Sequence, residues 1–226
     1  MTAIDRRSWL VALGIALLIA VASGSLAATG DVPGWEKAVF HALNDLPDWL
    51  EAPMWVFQLA GLLLVPLAVA AVAAFFRKWW LAAALVVFVP LKLLVEKGVV
   101  KQFVERERPG TTICGFDADD PSAFDPTCAN FRGDVPLEGL SFVSGHAIIA
   151  WGVAALLWAV LPGRWRWLPV VIAVLNAIAR VYLGAHNPLD VVGGGAIGVA
   201  IGASLVLVVS AASERVDNRH PSTTAK

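Results

Sequence analysis

The sequence predicts an all-α fold, a polytopic membrane helical bundle of six transmembrane helices with a short interfacial helix in its first outer loop. Composition is the first reason, because 58% of the 226 residues are hydrophobic and only 15% are charged, whereas soluble domains are nearer half apolar and a quarter charged. The second reason is that the apolar residues form runs, and about 20 consecutive ones cross the hydrocarbon core as a helix. Six runs occupy most of the chain, so we expect one domain over residues 1–226.

The predicted spans follow the apolar runs, at residues 9–28, 54–76, 79–100, 143–162, 167–184 and 189–211. Arg6 and Arg7 precede the first run, as they would in a cleaved signal peptide. That run is longer than the roughly 7–15 apolar residues of a signal sequence, so we expect a retained span. The chemical motifs fall within residues 97–211, and a polar tail over residues 213–226 follows.

Two long polar segments separate the spans, at residues 29–53 and 104–142. In the first, four apolar residues recur at the spacing of one helical face: Trp35, Val39, Phe40 and Leu43. We therefore expect a short amphipathic helix from Gly34 to Asn44 at the membrane interface. The second segment is rich in Pro, Gly and Asp, and a connection of this length usually has a function or is disordered.

Basic residues in the short loops predict the orientation of the bundle. They form four groups: Arg6 with Arg7, Arg77 with Lys78, Arg164 with Arg166, and Arg215 with Arg219. In a six-span chain all four groups fall on one side, which the positive-inside rule identifies as cytoplasmic. Both termini are then cytoplasmic, and residues 29–53, 101–142 and 185–188 face outside.

A cluster of cations at the outer end of the third span breaks this rule: Lys97, Lys101, Arg106 and Arg108. Lys101 and Arg108 are seven residues apart, so they share one helical face if the third span continues through them until Pro109 ends it. Two aligned cations suit a phosphate, because Arg offers a bidentate fork and Lys a point charge. The alternative is a charged helix end that Glu105 and Glu107 neutralise.

Ser144, Gly145 and His146 open the fourth span. A helix N-terminus presents unpaired N–H groups and a positive dipole end to an anion, and glycine lets a phosphate approach the backbone. His146 lies just inside the membrane boundary, where an ionisable residue suggests a function. A capping serine beside an interfacial histidine is the structural alternative.

A third cluster joins Arg180, at the outer end of the fifth span, to His186 and Asp190 at the start of the sixth. Arg180 requires an anion, because an unpaired charge is costly in a membrane. Asn187 and Pro188 have the pattern of a helix start, which places Asp190 in the first turn. A carboxylate on one imidazole nitrogen would fix the tautomer and leave the other nitrogen to attack. The alternative is an Asp that only stabilises the helix N-terminus.

Cys114 and Cys128 lie in the same polar segment. They lack the spacing of a zinc site. They would form one disulfide if the segment faces an oxidising compartment, and two unrelated free thiols are the alternative.

The order of these motifs, Lys-x6-Arg-Pro, then Ser-Gly-His, then Arg-x5-His-x3-Asp, resembles the signature of the type 2 phosphatidic acid phosphatase family. That family shares its site with acid phosphatases and vanadium haloperoxidases. The resemblance covers the third to sixth spans. Two positions depart from the family pattern: Val143 stands where a proline is usual, and Ala179 where a serine is frequent. Neither change removes a reacting group, so they bear on rate and substrate preference.

The resemblance implies a role for each motif residue. His186 would attack phosphorus and form a phosphohistidine, Asp190 would orient His186, and His146 would protonate the leaving oxygen. The phosphate-binding set would be Lys101, Arg108, Ser144, Gly145 and Arg180. This scheme uses no metal and no other cofactor.

The expected partners are the bilayer and a phosphorylated lipid: an isoprenyl diphosphate, phosphatidic acid or phosphatidylglycerophosphate. We expect the site to face outside from a bacterial plasma membrane. The formal charge of −1 and the lack of a basic patch give no reason to expect nucleic acid, and no motif indicates an oligomeric state. Two other functions are open, a lipid phosphotransferase with the same site and a transporter or proton relay, since intramembrane charges also mark ion pathways.

Overall fold

The computed structural model describes residues 5–219, and these residues form helices with a single isolated β-bridge, between Glu107 and Leu140. No strand occurs among them, which confirms the all-α prediction for this part of the chain. The helices are α1 Arg6–Ala27, α2 Gly34–Asn44, α3 Glu51–Gln58, α4 Val65–Phe75, α5 Trp79–Leu93, α6 Lys101–Phe103, α7 Pro109–Thr112, α8 Gly145–Trp158, α9 Trp167–Tyr182 and α10 Pro188–Arg219. A π-helical segment, Leu94–Val100, joins α5 to α6.

Three helical segments of the described chain are long and apolar enough to cross a membrane: Arg6–Ala27, Gly163–Tyr182 and Pro188–Ala212. The second span was predicted as one continuous helix over residues 54–76, and this prediction is wrong. The span is a pair of segments, Asp48–Gly61 and Val65–Phe75, bent by 68°. Pro66 explains the restart, because proline has no N–H to continue a helix and favours its first turn. Counted as one span, the pair brings the number to four.

Helix α10 packs against both α1 and α8. Glycines allow the approach to α8. A Cβ on Gly198 would lie 2.3 Å from the Ile148 carbonyl oxygen, and one on Gly194 would lie 2.5 Å from that of Ser144. Small residues let helix backbones approach closely in membrane proteins. This contact holds the start of α10 beside the start of α8, where two of the sequence motifs lie.

Helix α2 has the predicted bounds, Gly34–Asn44. Its buried face carries Glu36, Phe40 and Asn44, which lie four residues apart and therefore on one side of the helix. Two of the predicted apolar positions point away from the protein, since Trp35 is 54% and Val39 is 43% exposed. The helix thus has an apolar outer face and a partly polar inner face.

The polar segment over residues 104–142 is fastened to the rest of the fold. Cys114 and Cys128 are joined as a disulfide, with Cα atoms 5.6 Å apart. The Asn44 amide donates to the carbonyl of Asn130 at 2.8 Å, and the Asn130 N–H donates back to the Asn44 side chain at 2.7 Å. The Arg132 guanidinium lies 4.0 Å from the centre of the Tyr182 ring. The segment is therefore held against α2 and the end of α9.

The last helix extends further than predicted. Its apolar part was expected to end at residue 211 and to give way to a polar tail over residues 213–226. Helix α10 instead continues to Arg219, so the first half of that tail is helical. Residues 220–226 lie outside the described part of the chain.

Candidate active site

The three sequence motifs meet at one end of the bundle, beside the segment of residues 104–142. The Arg108 guanidinium donates to the carbonyl of Ala185 at 2.7 Å, which joins the first motif to the third. The Ser144 N–H donates to the Asp190 carbonyl at 3.0 Å, which joins the second motif to the third. The predicted site residues therefore form one cluster.

His186 occupies the short turn between α9 and α10 and is 4% exposed. Gly184 permits this turn, because its φ of +78° is the left-handed region that favours glycine. A Cβ there would also lie 2.8 Å from the ring of Phe131. The Nδ1 atom of His186 faces Ser141 and Asp190, so Nε2 is the nitrogen turned away from the carboxylate.

Ser141 stands between His186 and Asp190, a contact that sequence reasoning missed. Its hydroxyl donates to Asp190 Oδ2 and lies 3.3 Å from His186 Nδ1. The direct distance from Nδ1 to Oδ2 is 3.6 Å, which is too long for a hydrogen bond. The Asn187 N–H donates to the same carboxylate oxygen at 2.8 Å. Asp190 therefore reaches the imidazole through a hydroxyl.

Burial lowers the pKa of His186 well below its usual value, and the charges of Arg180, Arg108 and Lys101 lower it further. The imidazole is therefore neutral near pH 7, the form in which a nitrogen lone pair is available for attack. The same three cations belong to the predicted phosphate-binding set. Burial and these charges together keep the histidine neutral, and the same charges attract an anion.

Two buried donors of this cluster have no hydrogen-bond partner within the protein: the Ser144 hydroxyl and Arg180 Nε. An unpartnered buried polar group is costly, and such groups usually have a reason. Ser144 is the N-cap of α8, so its hydroxyl lies beside the unpaired N–H groups of the first turn. Arg180 is held at its other end, where Nη1 donates a hydrogen bond to the side-chain oxygen of Gln58.

Gly145 lies where no larger residue fits. An added Cβ would be 2.7 Å from Glu96 Oε1 and 2.9 Å from Lys92 Nζ. Glu96 is buried, forms an ion pair with Lys92, and lies 3.6 Å from Lys101 Nζ. Glu96 therefore contacts both Lys101 and the start of α8.

His146 is the second residue of α8. It packs against the break in the second predicted span, because a Cβ on Gly61 would lie 2.5 Å from the His146 Cβ. The bent pair of helices therefore forms one wall of the site.

Arg108 reaches the site by a route that differs from the prediction. Helix α6 ends at Phe103, and Val104 and Arg108 are both extended, so Lys101 and Arg108 do not share one helical face. Proline disfavours the helical conformation of the preceding residue. Pro109 accordingly begins helix α7 rather than ending the third span. Burial lowers the pKa of Arg108, but the group stays charged because arginine titrates far above neutral pH.

Two further charged residues were missed, Arg106 and Glu36, and both are completely buried. Arg106 appeared in the sequence only as one of four cations that break the charge rule. Glu36 lay in the predicted interfacial helix with no motif around it. In the part of the chain that the structure describes, no three histidine, cysteine or acidic side chains are grouped as a metal ion would need.

The family model described as the PAP2 superfamily matches residues 67–214. Decaprenylphosphoryl-5-phosphoribose phosphatase of Mycobacterium tuberculosis is 33% identical over 135 residues, 59% of this chain and 60% of that protein. The match thus spans less than two thirds of this relative. Undecaprenyl-diphosphatase of Sulfolobus acidocaldarius is 44% identical over 59 residues, 26% of this chain and 28% of that protein.

Two solved structures are similar in fold. LpxE of Aquifex aeolicus has a TM-score of 0.62 and 22% identity, covering 75% of this chain and 93% of that one. The first transmembrane PAP2 type phosphatidylglycerolphosphate phosphatase of Bacillus subtilis has a TM-score of 0.61 and 24% identity, covering 92% and 96%. At these identities the likeness is one of fold.

Proposed function

Because this chain belongs to the PAP2 superfamily, we propose that it is an integral membrane lipid phosphatase that works through a phosphohistidine on His186. One observation carries the proposal. Three cations act electrostatically on a buried, neutral histidine, and two buried donors of the same residue cluster have no hydrogen-bond partner in the protein. A phosphate group would satisfy those donors and neutralise those charges.

In the first step His186 Nε2 attacks phosphorus as the bond to the lipid oxygen breaks, and the nitrogen–phosphorus bond forms in line with it. The negative charge of the bound phosphate favours the protonated form of His146, which gives its proton to the departing oxygen. Asp190 and Ser141 hold the Nδ1 side of the ring, which carries the positive charge of the phosphohistidine. The products of this step are the covalent enzyme and the leaving group, which is the dephosphorylated lipid for a phosphomonoester and the lipid monophosphate for an isoprenyl diphosphate.

In the second step a water molecule attacks the phosphohistidine. His146, now neutral, takes a proton from that water. The nitrogen–phosphorus bond breaks, inorganic phosphate leaves, and both histidines return to their starting states.

Binding of the equatorial oxygens supplies most of the catalysis in phosphoryl transfer, because little covalent chemistry falls to the protein. The proposed ligands are the side chains of Lys101, Arg108, Ser144 and Arg180 with the N–H of Gly145. The two donors without partners among them, the Ser144 hydroxyl and Arg180 Nε, are available without breaking an existing contact.

The proposed substrate is a lipid with its phosphate at the outer membrane surface: an isoprenyl diphosphate, phosphatidic acid or phosphatidylglycerophosphate. The two curated relatives are named for polyprenyl substrates, a decaprenylphosphoryl compound and an undecaprenyl diphosphate. This supports the isoprenyl compound as the first of the three to test.

We also propose the six-span arrangement, with both termini cytoplasmic and the site facing outside. The loop charges support it, and so do the three long apolar helices and the bent pair. The remaining two crossings would be α8 and the continuous helical run from α5 through α6.

Phosphate release from a panel of these three lipids by the purified chain tests the proposal. We expect His186→Ala to abolish release, and His41→Ala to be the matched control, because the His41 ring faces Asp45, the residue that follows α2, at 3.6 Å. Full activity in His186→Ala would exclude His186 as nucleophile. Product analysis with an added alcohol acceptor separates hydrolysis from phosphotransfer. Substrate uptake by proteoliposomes without phosphate release would favour a transporter.

A further inference from the structure

Arg106 and Glu36 form a buried ion pair that touches the proposed active site. Arg106 Nη1 and Nη2 donate to the two carboxylate oxygens of Glu36 at 3.1 and 2.5 Å. Both side chains are 0% exposed. Arg106 Nη1 is also 3.5 Å from Asp190 Oδ1, an oxygen with no hydrogen-bond partner in the protein. One guanidinium therefore lies between two carboxylates.

Glu36 makes a second contact with the site. Its Oε1 accepts a hydrogen bond from the N–H of Leu189 at 2.8 Å, in the first turn of α10. The carboxylate thus occupies the N-terminal end of the helix that carries Asp190, where the unpaired N–H groups and the helix dipole favour negative charge. Helix α2 is in this way bound to the start of α10 through charge as well as packing.

We propose that Glu36 and Arg106 are a positioning pair that sets the charge around Asp190 and so tunes the nucleophile His186. This inference rests on the proposed function. Arg106 lies between two carboxylates in one dry pocket, where a cation offsets their mutual repulsion. Glu36 in turn limits how strongly Arg106 attracts Asp190, so that Asp190 can balance the positive charge that His186 acquires.

The two halves of the pair should have opposite effects on catalysis. Removing the cation in Arg106→Met makes the site take up a proton more readily, so the acid limb of kcat/KM moves to higher pH. Removing the anion in Glu36→Gln leaves Asp190 as the remaining carboxylate beside Arg106. The cation then stabilises ionised Asp190 more strongly, so the acid limb of kcat/KM moves to lower pH. The glutamine keeps a carbonyl oxygen for the N–H of Leu189. A purely structural role would lower activity in both variants without opposite shifts.

Several other charged groups act on the same site and stay constant through this comparison. Arg108 also interacts electrostatically with Asp190, and Arg180, Arg108 and Lys101 interact electrostatically with His186. Ser141 and Asn187 also donate hydrogen bonds to Asp190, and neither residue is substituted in these variants. Differences between the variants and the wild type therefore report the pair itself.

The test uses the full chain in detergent micelles with farnesyl diphosphate and dioctanoyl phosphatidic acid as probes. We expect Arg106→Met to lower kcat near neutral pH by about 100-fold and to recover at higher pH. Arg106→Lys, which keeps the charge, should retain an acid limb close to that of the wild type. Glu105→Gln is the matched control, because Glu105 is exposed and adjacent to Arg106.

Thermal unfolding gives a readout that does not need activity. In Arg106→Met two buried carboxylates lack their cation, so the folded protein holds a proton that the unfolded chain releases, and stability falls as pH rises. The double variant Glu36→Gln/Arg106→Met removes the second carboxylate and should lose most of that slope. If the wild type releases no phosphate, the proposed function fails while this slope still tests the pair. Equal slopes in both variants, or acid limbs that move in the same direction, would overturn the inference.

Discussion

The hydroxyl of Ser141 bridges the two side chains proposed as nucleophile and orienting carboxylate. We expect Ser141→Ala to lower kcat about 10- to 100-fold with little change in KM, because a hydrogen bond to a charged group contributes about 1.5–3 kcal/mol. Steady-state kinetics measures this, with Ser122→Ala as control, since the Ser122 hydroxyl bonds only the surface residue Asp120 among the side chains around it. A raised KM with unchanged kcat would show that the hydroxyl binds substrate instead.

Burial of His186 also makes a prediction about stability. Its pKa is lowered in the folded protein, so between the two pKa values the unfolded chain binds a proton that the folded chain does not. Stability is therefore complete above about pH 6.5, the ordinary histidine value, and falls as the pH drops below it. We expect His186→Gln to unfold with a smaller loss of Tm between pH 7.5 and pH 5 than the wild type does. An equal loss in both proteins would contradict a neutral, buried His186.

The motif residues that the sequence singled out lie together, because each carries a charge or a spacing that is visible along the chain. The residues that support them were not visible in this way. Ser141 has no charge and lies outside the Ser-Gly-His motif. Glu36 meets Arg106 across 70 positions of sequence, a distance that no local pattern bridges. The clustering of the motif residues could thus be predicted from local patterns, whereas their contacts with Ser141, Glu36 and Arg106 depend on tertiary packing.

The segment of residues 104–142 depends on a covalent link. Cys114 and Cys128 close a loop with a sequence separation of 14, and a loop of that size stabilises a fold by about 3 kcal/mol. We expect reduction to add the mass of two hydrogens and to lower Tm, as should the double variant Cys114→Ala/Cys128→Ala. Mass spectrometry and thermal unfolding in detergent measure the two effects. A chain that alkylates at both cysteines without prior reduction would contradict the link.

At the level of elements, the spacing of apolar residues predicted helix bounds well where those residues recur on one face of the helix. The bounds of α2 follow from its apolar spacing and match the structure. Proline was the main source of error. Pro66 restarts a helix inside the second predicted span, and Pro109 starts α7 where it was expected to end a helix. A hydropathy average does not detect such breaks, because the residues on both sides of the break are equally apolar.

In the molecule as a whole, the break in the second predicted span lies beside the proposed site. The bend places Gly61 against His146, and Gln58 in the same segment accepts from Arg180. Helix α2 contacts the site through Glu36. The first 61 residues, which carry none of the family motifs, therefore provide two of the walls around the proposed nucleophile.

The proposed orientation of the whole bundle is open to a direct test with single cysteines in the Cys114→Ala/Cys128→Ala background. Asp119 lies in the exposed segment predicted to face outside, and Pro162 lies in the exposed turn before α9, predicted to face the cytoplasm. We expect Asp119→Cys to react with a membrane-impermeant maleimide on intact cells, and Pro162→Cys to react only after permeabilisation. The reason is the positive-inside rule, which places the basic residues beside Pro162 in the cytoplasm. The reverse labelling pattern would place the site on the cytoplasmic side, and labelling of both positions from outside would contradict the six-span arrangement.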